Sequence, residues 1–127
     1  MSTFGPHLIG DLDGCYPGYT KSGGFIFDFM NDAVWKIGLT PIGSPHLDLY
    51  TGPHKEWEGY SATVHIQTSH ITAHFFKFGY VFMDVFSCKP FDEEDFKSWV
   101  EYELVAMRSH WQNVTRGFGF PKELLDG

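Results

Sequence analysis

Residues 59–90 read GYSATVHIQTSHITAHFFKFGYVFMDVFSCKP, and their periodicity decides the fold. From Ser61 the pattern has a period of two. Ala62, Val64 and Ile66 fall on one side, while Ser61, Thr63, His65, Gln67 and, in a regular strand, Ser69 fall on the other. Such alternation belongs to a strand with one face on a core and one polar face. The segment YVFMDVFS at 80–87 is apolar on both sides apart from Asp84, as in a strand covered on both faces. Between the two, Lys77-Phe78-Gly79 supplies a turn. Counting back from a hairpin centred there sets Cys88 opposite residues 67–69 and makes it a spatial neighbour of Ser69.

The flanking sequence supplies the rest of the scaffold. HLIGDL at 7–12 is a short first strand, closed by the turn chemistry of Asp13-Gly14 and Pro17-Gly18. Ser22 stands at an N-cap position ahead of Ile26, Phe29, Met30, Ala33 and Ile37 at helical spacing, and Gly38 ends the run. Pro41 and Pro45 make 39–50 an edge strand or an extended loop. Residues 51–59 (TGPHKEWEG) read as a surface loop whose Trp57 is expected to tuck onto the core, with a ligand platform as the alternative. Asp92 and Asp95 open a second helix with Phe96, Trp99, Val100, Leu104 and Met107 on one side, and 110–116 is a last strand. The order predicts an α+β fold: a two-layer α/β sandwich, an antiparallel sheet with two helices on one face, as one domain over residues 1–127. The other face of that sheet is partly polar and partly aromatic, and dimerisation through it is the economical cover.

Composition narrows the partners. Hydrophobic residues make up 43% and aromatics 18%, with 13 Phe, which is a core-forming composition. The net charge of -7 and nine Lys and Arg without a basic run argue against nucleic acid and favour a cationic substrate. Cys15 and Cys88 are not needed as a staple in so apolar a chain, and no signal peptide precedes them, so the cytoplasm is the expected compartment. No apolar run approaches the roughly 18 residues of a membrane span.

The chemistry that fits the central stretch is self-cleavage at a serine. The hydroxyl attacks the preceding carbonyl to give an ester, removal of the serine α-proton expels the upstream chain, and the dehydroalanine left behind hydrolyses to a pyruvoyl group. A neighbouring base, an oxyanion donor and a strained backbone are required. Ser69 has His74 five positions later, which places them on opposite faces of a regular strand, so a bend or bulge between them is expected.

The segments Gly59-Tyr60-Ser61, Thr68-Ser69-His70-Ile71-Thr72-Ala73-His74-Phe75 and Asp84-Val85-Phe86-Ser87-Cys88-Lys89 resemble the short prokaryotic S-adenosylmethionine decarboxylases. That family's central stretch reads Gly-x-Ser, Glu-Ser-His-x-x-x-His-Thr and Asp-x-Phe-Thr-Cys-Gly. The resemblance extends to His7-Leu8 and the helix order. It implies a homodimeric decarboxylase of polyamine (spermidine) synthesis whose pyruvoyl cofactor derives from Ser69 after cleavage between Thr68 and Ser69. By the same resemblance Ser61 and His74 assist cleavage, His74 taking the α-proton, and Cys88 donates the proton that ends the reaction. The pyruvoyl group serves as the electron sink.

Two departures stand out. Thr68 replaces the family glutamate, and Phe75-Phe76-Lys77-Phe78 replaces Thr-Trp or Thr-Tyr followed by Pro-Glu, so a carboxylate for a ribose hydroxyl is missing while Phe75 or Phe76 can still stack on a base. Two rival readings follow: a pyruvoyl-dependent decarboxylase of a smaller amino acid, ornithine or arginine, and an uncleaved homologue that binds a nucleoside-like ligand or a partner decarboxylase. A metal site built from His65, His70, His74 and Cys88 matches no tight ligand spacing, so none is expected. Read singly, Ser69 is a polar strand residue and Cys88 a small buried hydrophobe; only their combination with Ser61 and His74 points to chemistry.

Overall fold

The computed structural model describes residues 4–124. Six strands, β1 (His7–Asp13), β2 (His46–Tyr50), β3 (Gly59–Ile66), β4 (Ser69–Phe76), β5 (Tyr80–Phe86) and β6 (Arg108–Val114), form an antiparallel sheet in the order β2-β3-β4-β5-β1-β6. A one-turn helix α1 (Pro17–Thr20) and two longer helices, α2 (Gly23–Lys36) and α3 (Glu93–Leu104), complete the α+β fold. None of the described helices is long and apolar enough to cross a membrane.

Both long helices start at the predicted caps. The Ser22 hydroxyl accepts from the Phe25 N–H at 3.1 Å, and the Asp92 carboxylate accepts from the Asp95 N–H at 3.0 Å. Glu93, Glu94 and Asp95 add negative charge to the first turn of α3, where the helix dipole favours it. Helix α2 buries Ile26, Phe29, Met30, Ala33 and Val34; α3 buries Phe96, Val100 and Leu104. These stripes join one core with the alternate strand residues Leu8 and Leu12, Ala62, Val64 and Ile66, Ile71, Ala73 and Phe75, and Val81, Met83 and Val85. Met107, expected on the apolar side of the second helix, is instead 81% exposed. The helix stops at Leu104 because Val105 takes a left-handed conformation (φ 53°) and Ala106 N–H returns to the Glu101 carbonyl, a Schellman-type closure without the usual glycine.

The second turn falls at residues 77–79, where Phe76 faces Tyr80 across the β4–β5 pair. A turn the periodicity does not anticipate lies between Ile66 and Ser69. These two residues face each other across the β3–β4 pair, leaving Gln67 and Thr68 as a two-residue loop with Thr68 at φ 58°. The turn resets the parity. Ser69 joins the core-facing row of Ile71, Ala73 and Phe75, not the polar row of Ser61, Thr63 and His65. That polar row lies on the face away from the helices, together with His46, His70, His74, Phe76, Phe82 and Asp84 from the neighbouring strands.

Candidate active site

The sequence-predicted residues assemble at two places. At one end of β4, Ser69 is only 6% exposed, and its hydroxyl oxygen accepts a hydrogen bond from the Cys88 backbone N–H at 2.7 Å. The half-buried Cys88 places its thiol 3.8 Å from the Gln67 carbonyl oxygen. The segment carrying Cys88 is fixed by the fully buried Ser87, whose hydroxyl donates to the Lys89 carbonyl at 2.6 Å and accepts from the Lys89 N–H at 3.1 Å. Its backbone N–H also bonds Pro6 O at 3.0 Å. Immediately before Ser69, Thr68 holds a positive φ that costs a β-branched residue of order 1–3 kcal/mol. Gln67, Thr68, Cys88 and Lys89 border a cleft of about 560 Å³, walled on its apolar side by Phe4 and Phe120.

At the opposite end of the hairpin, Ser61 and His74 face each other across β3 and β4, with Ser61 Oγ 2.8 Å from His74 Nδ1. The pair lies on the helix-free face, at the base of a second cleft of about 650 Å³ walled by Tyr50, Trp57, Phe76 and Phe82. Ser69 and His74 do not come together. The register from Ile66–Ser69 to Gly59–Phe76 is unbroken, so the expected bend is absent and the two side chains leave opposite faces of a regular strand. Five residues of strand separate them, roughly 17 Å.

The aromatic candidates divide in the same way. Phe75 is 1% exposed and meets Phe29 edge-on in the core, at 6.0 Å between ring centroids. Phe76 points into the cleft. Trp57 does not tuck onto the core: it is 62% exposed and stands edge-on to Phe76 at 6.4 Å. Phe75 takes the core side of β4 while the short 3-10 turn Lys55–Trp57 sets the indole beside Phe76 on the helix-free side.

Two contributors carry no local signal in the sequence. Tyr50 and Phe82 line the aromatic cleft from β2 and β5; only the register between strands brings them there. On the same face His7 Nε2 lies 2.6 Å from Asp84 Oδ1, and His70 Nε2 lies 3.8 Å from the same oxygen. Asp84 had been visible as the one polar residue of an apolar strand, but its histidine partners come from strands distant in sequence. Burial holds the His70 pKa below its ordinary value, opposed by the nearby Asp84 carboxylate. Among the described residues no three His, Cys, Asp or Glu side chains are grouped to hold a metal ion.

The sequence model of the family described as S-adenosylmethionine decarboxylase matches residues 6–117. The chain belongs to the S-adenosylmethionine decarboxylase family. Among solved structures, the crystal structure of the adenosylmethionine decarboxylase from Aquifex aeolicus VF5 superposes with a TM-score of 0.74 at 24% identity, covering 91% of this chain and 92% of that one. That likeness establishes the decarboxylase fold. No curated protein matches in sequence.

Proposed function

We propose that the chain cleaves itself between Thr68 and Ser69 and then decarboxylates S-adenosylmethionine for spermidine synthesis, as a cytoplasmic homodimer of one domain over residues 1–127. The observation that carries this reading is the junction itself. A strained Thr68 precedes a buried Ser69 whose hydroxyl is fixed by the Cys88 N–H. Strain at Thr68 raises the ground state of the bond that the Ser69 hydroxyl must attack, and the Cys88 N–H restricts the orientation of that hydroxyl. These residues fit a pyruvoyl group formed in place, which supplies an electron sink for the carbon–carbon bond broken in decarboxylation. Cys88, beside Ser69, donates the proton that replaces the lost carboxylate. Trp57 and Phe76 of the dimer's second copy stack on the substrate base, with Phe75 supporting the Phe76 strand from the core.

The separation of the two pairs supports the homodimer. Ser61 and His74 are too far from Ser69 of their own chain to serve it, and they occupy the face that no helix covers. A second copy packed on that face, with its strands reversed about a two-fold axis, carries its own Ser61–His74 pair toward the first copy's Ser69. His74 of one copy is then the base that removes the Ser69 α-proton of the other.

A second substrate reading, a smaller amino acid such as ornithine or arginine, is favoured by one observation: among the described residues no Asp or Glu lines the aromatic cleft to grip a ribose. Intact mass and a denaturing gel test the proposal. Two fragments, 1–68 and 69–127, are expected, the second blocked to amine sequencing. A single full-length species after long incubation overturns it and leaves the non-catalytic reading, binding of a nucleoside-like ligand or partner decarboxylase. Mixing Ser69→Ala and His74→Ala chains tests the shared site: the His74→Ala chain is expected to cleave only in the mixture. Carbon dioxide release from S-adenosylmethionine, ornithine and arginine then ranks the substrates.

A further inference from the structure

Cleavage at Thr68 creates a charge where the fold has made little provision for one. The cleft that borders Thr68 is walled by Phe4, Leu39, Ile66 and Phe120, and Lys89 is the one charged side chain among its described lining residues. Thr68 and Lys89 are both exposed at the mouth of this cleft, so a carboxylate formed there stays partly hydrated, and a cation within reach stabilises it further. Arg116 does not line the cleft and is held over the Phe86 ring at 4.3 Å. Lys89 follows directly on Cys88, and its backbone is clamped on both sides by the buried Ser87 hydroxyl. The root of its side chain is thus set, while the four-carbon stem leaves the ammonium free to swing into the cleft.

We propose that Lys89 stabilises the carboxylate that departs with Thr68 during self-cleavage, and then retains it. The inference rests on the self-cleavage reading and adds a residue to it. The step concerned is the second one. Once the Ser69 oxygen is esterified to the Thr68 carbonyl carbon, a base removes the Ser69 α-proton. That electron pair forms the Cα–Cβ double bond, the Cβ–Oγ bond breaks, and Thr68 leaves as a carboxylate with both electrons of that bond. Negative charge therefore builds on the Thr68 oxygens in this step, and an ammonium within reach acts on it most strongly there. Attack of the hydroxyl on the amide, which comes earlier, places its charge on the carbonyl oxygen and depends less on Lys89.

The difference between the two steps makes the test specific. In Lys89→Met, formation of the blocked second fragment is expected to slow about tenfold, the loss of one charge-assisted contact. The ester is expected to accumulate. Hydroxylamine then cuts it, releasing a 69–127 fragment that begins with an unmodified, sequenceable Ser69. Lys89→Arg is expected to recover most of the rate, and the urea midpoint of the uncleaved Ser69→Ala chain is expected not to move when Lys89→Met is added. Wild-type rates in Lys89→Met, or slow cleavage without trappable ester, overturn the role of Lys89 while leaving self-cleavage standing. A wild-type chain that never cleaves overturns both.

Discussion

The two turns that bound β4 solve the same problem with opposite chemistry. At residues 77–79 the chain reverses through Gly79 at φ 106°, and a Cβ there would lie 2.4 Å from the Cys15 carbonyl oxygen. Glycine is what the backbone demands, and the sequence supplies it. At residues 67–68 the reversal passes through Thr68 at φ 58°, with Gln67 outside the positive-φ region. Favoured two-residue hairpins want positive φ at the first loop residue or at both, occupied by glycine or asparagine. The first turn is relaxed and structural; the second holds a β-branched residue in a poor conformation beside Ser69, whose hydroxyl is buried and held by the Cys88 N–H. Strain that served no purpose would be easily lost by substitution, so its position at the proposed scissile bond ties fold to function.

The comparison breaks most visibly at the relaxed turn. Gly79→Ala forces a methyl group against a backbone atom in a region closed to most side chains, and should cost roughly 2–4 kcal/mol. A shift of the urea midpoint to lower concentration checks it, and an unchanged midpoint would mean that this turn is as tolerant as its counterpart. At the strained turn the same logic runs in reverse. Thr68→Gly should stabilise the uncleaved chain by up to about 1 kcal/mol, strain relief being partly offset by the added freedom of the unfolded glycine. It should also slow self-cleavage severalfold. A more stable chain that cleaves as fast as wild type would separate strain from chemistry and remove the functional reading of Thr68.

The same contrast explains what could be read from the sequence. Gly79, the caps at Ser22 and Asp92, and the alternation of Ala62, Val64 and Ile66 are local signals whose physics acts within a few residues, and the strands, helices and core rows follow from them. The turn at Thr68 carries no such signal, because Gln and Thr are ordinary strand residues and only the tertiary pairing of Ile66 with Ser69 holds them in a loop. Without that turn, strand parity puts Ser69 on the wrong face and requires a bend toward His74 that the strand does not make. Val105 misled in the same way: a left-handed residue without glycine ends α3, so Met107 was read into a helix that had already closed. Within the candidate site, Ser69 beside Cys88 was legible by counting from the hairpin. The Ser61–His74 pair and the aromatic cleft depend on register among three strands, which no local pattern encodes.

A smaller effect distinguishes the two ends of β4 by pH. His70 follows the strained turn on the helix-free face, near Asp84, His7, His65 and Arg116, and its pKa is lowered chiefly by burial. The unfolded chain therefore takes up the proton first as pH falls. Stability contributed by neutral His70 is complete above the ordinary histidine range near 6.5 and is lost as pH drops through that range toward the lower folded value. His70→Gln should flatten this part of the stability profile, seen as a smaller fall in the urea midpoint between about pH 7 and pH 5 than in wild type. At the other end of the strand the glycine turn carries Lys77 against Glu58, whose pKa the Lys55 hydrogen bond and the nearby lysines hold below its ordinary value, so that this pair stays ionised over the same pH range. Hydrogen exchange should accordingly show the Gln67–Thr68 end of the hairpin loosening in acid while the Gly79 end holds. Equal loosening at both ends, or an unchanged profile in His70→Gln, would place the acid sensitivity of the sheet elsewhere on its histidine-rich face.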